Sequence, residues 1–306
     1  MVFGRLWLIA LPGLVASALA ACAAPKSVGP ASDREPWPDA VTIVAAGDIA
    51  DCRLVTPGSS GAAQTAALIA ATDTAILTVG DNTYPVGAPA EFTDCFDPTW
   101  GRFGARLRPS PGNHDYQTPG AAGYYAYFGD RAGPVRRGYY SFDLAGWHII
   151  SLNSAVDAKA GSPQYRWLVD DLAASSAALC TLVVWHHPVY SSGPHGNDPR
   201  MRDALAALHA AGSDIVLAGH DHVYERLEPH DAAGESDPRR GIRSFTVGTG
   251  GARLYQFKTL HPRSEVRDAT THGVLRLTLG SGKYRWEFMP VGGGPARDRG
   301  EGKCHR

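Results

Sequence analysis

Residues 75–84 read AILTVGDNTY, and this stretch decides the fold class. A short run of apolar and β-branched residues is typical of a buried strand, and here it leads directly to the oxygen donors Asp81 and Tyr84. The stretch VTIVAAGD at 41–48 repeats the pattern and ends at Asp48. In open α/β sheets, ligands gather at the carboxyl ends of strands. The two stretches therefore predict an α/β sheet with functional side chains at one edge.

Three further stretches have the same organisation. A weaker strand-like run leads to GNHD at 112–115, the run at 181–185 leads to His186, and the run at 215–218 leads to GHDH at 219–222. Polar clusters thus follow five predicted strands, which favours a single site built from all of them.

The segments between and after these strands complete the predicted architecture. Three of them have the apolar spacing of helices: 61–71, with Ser59 or Ser60 as N-cap, 163–174 and 199–210. Others are strand-like without intervening helices: 139–143 and 147–152, which form a hairpin, then 242–247, 274–279 and 284–288. We therefore predict an α/β (α+β-like) fold of two packed mixed β-sheets flanked by helices.

Composition limits the class of protein. The 306 residues are 44% hydrophobic and 19% charged, with 35 Gly and 22 Pro, which is typical of a globular, turn-rich chain and excludes a coiled coil. The formal net charge of −1 provides no basic field for a nucleic-acid backbone, so no nucleic-acid partner is expected.

The N-terminus is typical of a bacterial export signal. Residues 1–21 carry Arg5 and then a mostly apolar run, too short for a comfortable membrane span. The sequence LAAC ending at Cys22 resembles the bacterial lipobox, which implies cleavage before Cys22, its lipidation and an extracytoplasmic, membrane-anchored protein. The alternative is an ordinary signal peptide. Residues 22–40 are interpreted as anchor and flexible tether, 41–290 as the globular domain and 291–306 as a C-terminal tail.

Four cysteines follow Cys22, and they allow three pairings. An exported domain can hold disulfides. Cys52 and Cys95 each follow a polar cluster at the same predicted sheet edge, so we favour that pair, with Cys180 and Cys304 pinning the tail. Four free thiols are the alternative.

The polar clusters contain the donors that metal ions use. Carboxylate, phenol, amide and imidazole groups suit hard or borderline cations, and the candidates are Asp48, Asp81, Tyr84, Asn113, His186, His220 and His222. Seven donors are too many for one tetrahedral ion but suit two ions that share a carboxylate. Paired metals are a recurring device for displacement at phosphorus.

The ordered motifs at 47–48, 80–84, 112–115, 183–186 and 219–222 resemble those of the calcineurin-like metallophosphoesterases and, within them, the purple acid phosphatases. The resemblance covers about residues 41–290 and implies a four-layer metallophosphoesterase sandwich acting on a small phosphorylated substrate.

The resemblance also implies a ligand for each metal position. Asp81 would bridge two metals, with Asp48, Tyr84 and His222 completing the first site, and with Asn113, His186 and His220 completing the second. Ala50 stands where many relatives have a ligand His, which is why Tyr84 and Fe(III) are expected in the first site. Zn(II), Mn(II) or Fe(II) is expected in the second. The alternative for Tyr84 is a packing aromatic.

Three more residues are given catalytic roles by the resemblance. His114 would protonate the leaving group as metal-bound hydroxide attacks phosphorus, Asp115 would fix the tautomer of His114, and His195 would face the substrate. His114 could instead be a hydrogen-bonded structural histidine, and His195 could be merely exposed. The expected activity is that of an acid phosphatase on phosphomonoesters. The alternatives are a phosphodiesterase or nucleotide hydrolase on the same metals, and a non-catalytic surface lipoprotein.

The remaining histidines have structural interpretations. His187 is expected to pack beside a ligand, and His148 is interpreted as a hydrogen-bonded strand histidine. The five with no partner in the sequence are interpreted as surface or tail residues: His209, His230, His261, His272 and His305. The glycine-rich stretch at 248–251 is interpreted as a turn that closes the site.

Overall fold

The computed structural model describes residues 1, 2, 4, 37–53 and 57–305. Most of the expected signal peptide, Cys22 and most of the tether lie outside the described residues. No helix in the described part of the chain is long and apolar enough to cross a membrane. The globular unit begins at Trp37.

The described chain alternates strands with short helices. The strands are β1 (Val41–Ala46), β2 (Ala50–Asp51), β3 (Ala75–Val79), β4 (Thr83–Tyr84), β5 (Leu107–Ser110), β6 (Tyr140–Leu144), β7 (Trp147–Ser151), β8 (Cys180–Val184), β9 (Ile215–Ala218), β10 (Tyr224–Leu227), β11 (Arg243–Val247), β12 (Ser264–Asp268), β13 (Gly273–Gly280), β14 (Lys283–Pro290) and β15 (Asp298–Lys303). The α-helices are α1 (Gly61–Ala66), α2 (Pro89–Glu91), α3 (Ala122–Phe128), α4 (Pro163–Ala174) and α5 (Arg202–Ala211).

Two mixed sheets form the centre of the unit. The first has the order β15-β14-β13-β1-β3-β5, and the second has the order β12-β10-β11-β9-β8-β7-β6. Strands β1, β3 and β5 are parallel in the first sheet, as are β7, β8, β9 and β11 in the second. The predicted pair of packed mixed sheets with flanking helices is confirmed.

Alternating side chains of the second sheet pack into two different hydrophobic cores, one on each face of the sheet. In β8, Leu182 packs into the core that contains first-sheet residues such as Ile43, whereas Val183 faces Leu168 of α4 and Leu205 of α5. Successive side chains of a strand point to opposite faces, so a strand covered on both faces is apolar throughout. This explains why the predicted strands read as continuous apolar runs.

The predicted helices are present, with different lengths. Ser60 caps α1 by accepting a hydrogen bond from Ala63 N at 3.2 Å, but the helix ends at Ala66 rather than near residue 71. Helix α4 has the predicted bounds. The third predicted helix begins with a 3₁₀ turn at Pro199–Met201 before α5.

The C-terminal segment belongs to the fold rather than to a free tail. Strand β15 pairs antiparallel with β14, and its Asp298 accepts hydrogen bonds from Tyr224 Oη at 2.7 Å and Trp286 Nε1 at 3.1 Å. The Cys180–Cys304 disulfide then joins the end of β15 to the start of β8 in the other sheet. Cys52 and Cys95 form the second favoured disulfide.

The structural histidines divide into one confirmed prediction and one correction. His148 bonds Asp143 through Nδ1 and Asp171 through Nε2, both at 2.8 Å, so it is a hydrogen-bonded strand histidine as predicted. The surface interpretation is wrong for His230, which is 1% exposed and lies 2.7 Å from Ser244 Oγ. Its other ring nitrogen, Nδ1, lies 2.8 Å from the Asp231 carbonyl.

Candidate metal centre

The polar clusters converge at the carboxyl ends of five strands drawn from both sheets. Asp48 and Asp81 follow β1 and β3, Asn113 follows β5, and His186 and His220 follow β8 and β9. Asp48, Asp81 and His220 have φ angles of 58°, 48° and 67°. Left-handed backbone is uncommon for residues other than glycine, and it concentrates at functional sites, where surrounding structure holds it in place.

Two glycines allow the strand ends to approach one another. A Cβ at Gly112 would lie 2.1 Å from Asp81 Oδ1, and a Cβ at Gly80, where φ is +86°, would lie 2.5 Å from His186 Nδ1. No side chain fits at those separations, so the motif glycines are required by the closeness of the donor residues.

The first group of donors surrounds Tyr84. Its Oη lies 2.7 Å from Asp48 Oδ1, 3.1 Å from Asp81 Oδ2 and 3.1 Å from His222 Nε2. The opposite nitrogen of His222, Nδ1, lies 2.7 Å from the Arg253 carbonyl. Because a carbonyl only accepts, Nδ1 carries the proton and Nε2 faces the group as a free donor atom, the arrangement typical of a ligand histidine.

The second group of donors surrounds His186. Its Nε2 lies 3.1 Å from Asn113 Oδ1 and 3.2 Å from Asp81 Oδ2, while Nδ1 lies 2.9 Å from the Val79 carbonyl. The ring of His220 lies 5.0 Å from that of His186, centroid to centroid. Asp81 Oδ2 is common to both groups, and Asp81 Oδ1 is held by the backbone N–H of His114 at 2.8 Å.

The electrostatics of the site call for a cation. Burial alone would raise the pKa values of Asp48 and Asp81, but nearby histidines outweigh it and lower both. Burial lowers the pKa of His186, but the two carboxylates outweigh it and raise the pKa to about 9. In the described part of the chain, no Lys or Arg ion-pairs with either carboxylate. Buried charges require partners, and two almost fully buried carboxylates surrounded by imidazole, phenol and amide groups are a donor set that fits metal ions.

Two histidines beside this group are held neutral. Burial and the neighbouring His186 lower the pKa of His220 to about 3 and also lower that of His187. His187 Nδ1 lies 2.7 Å from Ser154 Oγ, so this ring is packed and hydrogen-bonded behind the site. Its donor atom is also within 4.8 Å of those of His186 and His220, and the three could share an ion.

His114 stands at the rim of the site. Its ring centroid is 4.4 Å from that of Tyr84, its Nδ1 is 2.6 Å from the Pro85 carbonyl, and its Nε2 is 4.0 Å from Asp81 Oδ2. The Pro85 carbonyl can only accept, so it places the ring proton on Nδ1 and directs Nε2 toward the site.

The expected role of Asp115 needs correction. Its carboxylate accepts hydrogen bonds from Gly112 N at 2.8 Å and Asn82 Nδ2 at 3.0 Å, whereas the His114 ring is oriented by Pro85. Burial and the nearby charge of Asp81 raise the pKa of Asp115 to about 7. Asp115 therefore shapes the loop that carries Asn113 and His114 and does not set the tautomer of His114.

His195 lies at the opposite rim. Its side chain is exposed, and its ring centroid is 4.9 Å from that of His220. Asp221 accepts hydrogen bonds from His195 N at 2.9 Å and Ser191 Oγ at 2.6 Å, so it fastens the loop that presents His195.

The profile of the calcineurin-like phosphoesterase family matches residues 35–224, which is more than half of the chain. The chain belongs to this family. Within it, the chain is purple acid phosphatase-like. It is 34% identical over 214 residues to purple acid phosphatase 21 of Arabidopsis thaliana, a match that covers 61% of this chain and 48% of the relative. The chain thus spans about half the length of the curated relatives it matches.

Solved structures of the phosphoesterase fold agree with this assignment. The purple acid phosphatase PPD1 from yellow lupin superposes with a TM-score of 0.71 at 19% identity. This match covers 86% of this chain and 53% of the lupin chain. GAP50, described as the anchor in the inner membrane complex of Plasmodium, superposes with a TM-score of 0.67 at 16% identity. This match covers 87% of this chain and 90% of GAP50. These likenesses establish the shared fold.

The sequence analysis missed Tyr255 at this candidate metal centre. Its ring stacks on His222 at 4.0 Å between centroids with an interplanar angle of 8°, and it lies 5.5 Å from the His195 ring. The available signal was the glycine-rich turn at 248–251, which does close the site: a Cβ at Gly248 would lie 2.8 Å from Asp48 Oδ2. The turn delivers Tyr255 to the rim, but its spacing from the turn carries no recognisable pattern.

Proposed function

We propose that this chain is a binuclear-metal phosphate ester hydrolase, an acid phosphatase that acts on phosphomonoesters. The observation that supports it most is the shared Asp81 carboxylate, which contacts Tyr84 at 3.1 Å in one donor group and His186 at 3.2 Å in the other. A carboxylate between two donor groups suits a pair of cations better than a single one.

We assign the ligands as follows. Asp48, Tyr84 and His222 would hold the first ion, Asn113, His186 and His220 would hold the second, and Asp81 would bridge them. A phenol oxygen favours Fe(III) in the first position, and Zn(II), Mn(II) or Fe(II) suits the second. Two bound ions supply Lewis-acid polarisation of the phosphate and a lowered pKa for an attacking water.

His114 is the proposed general acid. Its Nδ1 proton is held by the Pro85 carbonyl at 2.6 Å, which leaves Nε2 aimed at the site. In the imidazolium form, Nε2 holds the proton that the leaving alkoxide needs. His195 would hydrogen-bond the phosphate from the opposite rim, with Asp221 positioning its loop.

The fold does not decide between catalysis and binding, because GAP50 shares it and is described as an anchor. The donor set supports catalysis. The test is phosphate release by the full chain, supplied with iron and zinc, from a phosphomonoester and from a diester at equal concentration. Monoester turnover that Asp81→Asn abolishes is expected. Preferred diester turnover would favour the phosphodiesterase alternative, and turnover of neither would favour a binding lipoprotein.

The iron assignment has a spectroscopic test. Tyrosinate bound to Fe(III) absorbs visible light, so the full chain is expected to be coloured and Tyr84→Phe colourless. A colourless wild-type protein with two zinc or manganese ions would remove the iron assignment and retain the phosphoesterase.

We further propose that the protein is extracytoplasmic and is held on the membrane by a lipid on Cys22. The two disulfides support an oxidising compartment. Mass spectrometry of the mature N-terminus tests the anchor: a diacylglyceryl-modified Cys22 is expected. Release of an unmodified chain, as expected for Cys22→Ser, would leave an ordinary secreted protein.

A further inference from the structure

Arg53 is held rigidly beside the candidate metal centre. Strands β2 and β4 pair so that Asp51 lies opposite Tyr84, and Arg53 follows only two residues after Asp51. The intervening Cys52 is bonded to Cys95. A strand pairing and a disulfide therefore fix the backbone that carries Arg53, which reduces the entropy cost of using its side chain for binding.

The guanidinium of Arg53 is anchored at one edge and open at the other. Its Nε and Nη2 bond the two oxygens of Asp51 at 2.9 and 2.8 Å. The Asp51 side chain is only 3% exposed, whereas that of Arg53 is 58% exposed. A guanidinium has five N–H donors, and no partner at the Nη1 edge occurs among the residues that the structure describes, so this edge offers an anion the fork geometry that suits phosphate.

The guanidinium lies near the same aromatic ring that the proposed general acid contacts. The guanidinium carbon is 6.0 Å from the centroid of the Tyr84 ring, and the His114 ring is 4.4 Å from the same centroid. Arg53 and the proposed general acid therefore flank one aromatic ring. A substituent on the oxygen that His114 protonates would pass next to Arg53.

We propose that Arg53 forms an anion subsite for the leaving group, so that favoured substrates carry a second phosphate beyond the one that is hydrolysed. This inference rests on the proposed hydrolase function. In chemical terms the ligand is a phosphoanhydride or a bisphosphate, whose second anion meets the open edge of the guanidinium while the scissile phosphate sits among the metal ligands.

The kinetic test compares ADP with AMP, because removal of the terminal phosphate leaves an anion in the first case and neutral adenosine in the second. Arg53→Gln is expected to lower the ratio of kcat/KM for ADP to that for AMP about tenfold or more, the usual effect of losing a charge-assisted hydrogen bond. An unchanged ratio would overturn the subsite while leaving the hydrolase in place.

Arg200 provides a matched control. It also follows a paired aspartate by two residues, with N and Nε bonded to Asp198 at 2.9 and 2.8 Å, and its side chain is 43% exposed. Its Nη1 differs from that of Arg53 in donating to the Ser154 carbonyl at 3.2 Å. Arg200→Gln is expected to change the ratio of kcat/KM for ADP to that for AMP by no more than about twofold, because Arg53, and not Arg200, flanks the ring of Tyr84. An equal drop in both variants would indicate a general field effect and would overturn the subsite.

Binding separates this inference from the activity. Calorimetry of the metal-loaded full chain with pyrophosphate and with phosphate requires no turnover. Arg53→Gln is expected to weaken pyrophosphate about tenfold and phosphate by much less. If the two ligands lose equal affinity, the subsite is wrong, even in a protein that hydrolyses nothing. If Arg53→Gln weakens pyrophosphate binding more than phosphate binding but the wild-type protein hydrolyses no substrate, the subsite is supported and the proposed hydrolase function is wrong.

Discussion

The proposed role of His114 as general acid determines which substrates should depend on it. A general acid matters most when the leaving oxygen is a strong base, so His114→Asn should lower kcat about 10²–10⁴-fold for alkyl phosphates and far less for 4-nitrophenyl phosphate. The measurement is kcat/KM across a series of leaving-group pKa values. An equal loss for every substrate would mean that the ring binds phosphate instead of donating a proton.

At this scale the sequence predicts where the candidate ligands lie better than it predicts the contacts of their neighbours. Asp48, Asp81 and His186 directly follow apolar strands, so their placement depends on local pattern. The Nδ1 atom of His114 contacts the Pro85 carbonyl, 29 residues away along the chain, at 2.6 Å and Gln117 Nε2 at 3.0 Å, whereas adjacency suggested Asp115. A tautomer is set by tertiary contacts, which spacing does not encode.

Among the elements, strand β7 carries a pH-dependent contact far from the metal ligands. Burial lowers the pKa of His148, but its hydrogen bonds to Asp171 and Asp143 outweigh burial and raise it above the ordinary 6.5. A raised folded pKa means that the contribution to the free energy of unfolding is complete below about pH 6.5 and is lost as pH rises through the folded pKa.

Urea unfolding between about pH 6 and 9 tests this contact. His148→Gln should remove the part of the stability loss that wild type shows on going to higher pH, and Asp171→Asn should reduce it, since the charge that raises the pKa is gone. If the pH profile of His148→Gln parallels that of wild type, the contact does not contribute.

The two disulfides should differ in their effect on the fold. Cys180 and Cys304 are separated by 124 residues, against 43 for Cys52 and Cys95. The chain-entropy model gives about 5 and about 4 kcal/mol for loops of these lengths. Cys304→Ser should therefore cost more stability than Cys95→Ser and should expose β15 to hydrogen exchange. Unchanged protection of β15 in Cys304→Ser would show that pairing with β14 suffices.

Strands were predicted correctly where apolar residues dominate the segment, and they were missed where the segment is largely polar. Buried strands such as β3 are continuous apolar runs, and they were predicted directly. Strand β15 reads DRGEGK, and β10 contains the buried pair Glu225 and Arg226. Their places in the sheets depend on hydrogen bonds, such as Ser192 N to Glu225 Oε2 at 2.7 Å, which no apolar pattern reveals.

For the whole molecule, the candidate metal centre lies where the two sheets meet. Asp48 and Asp81 come from the first sheet, and His186 and His220 from the second. Ions bound by both sheets would stabilise the folded state by mass action, about 2.7 kcal/mol at a hundredfold excess over Kd. Chelation should therefore lower Tm by about 4–5 °C in a chain of this size.

Asp48→Asn serves as the control for chelation, because it loses a ligand and should respond less to the chelator than wild type. Calorimetric scans of both proteins, with and without chelator, make the comparison. Identical shifts in the two proteins would mean that the chelator acts elsewhere.

The most direct measurement is the metal content of the full chain after saturation with iron and zinc and removal of the excess. The bridging role of Asp81 predicts two ions per wild-type chain and a loss of at least one in Asp81→Asn, whose amide cannot bridge two cations as a carboxylate does. A wild-type chain that retains one ion or none would contradict the binuclear centre and the hydrolase built upon it.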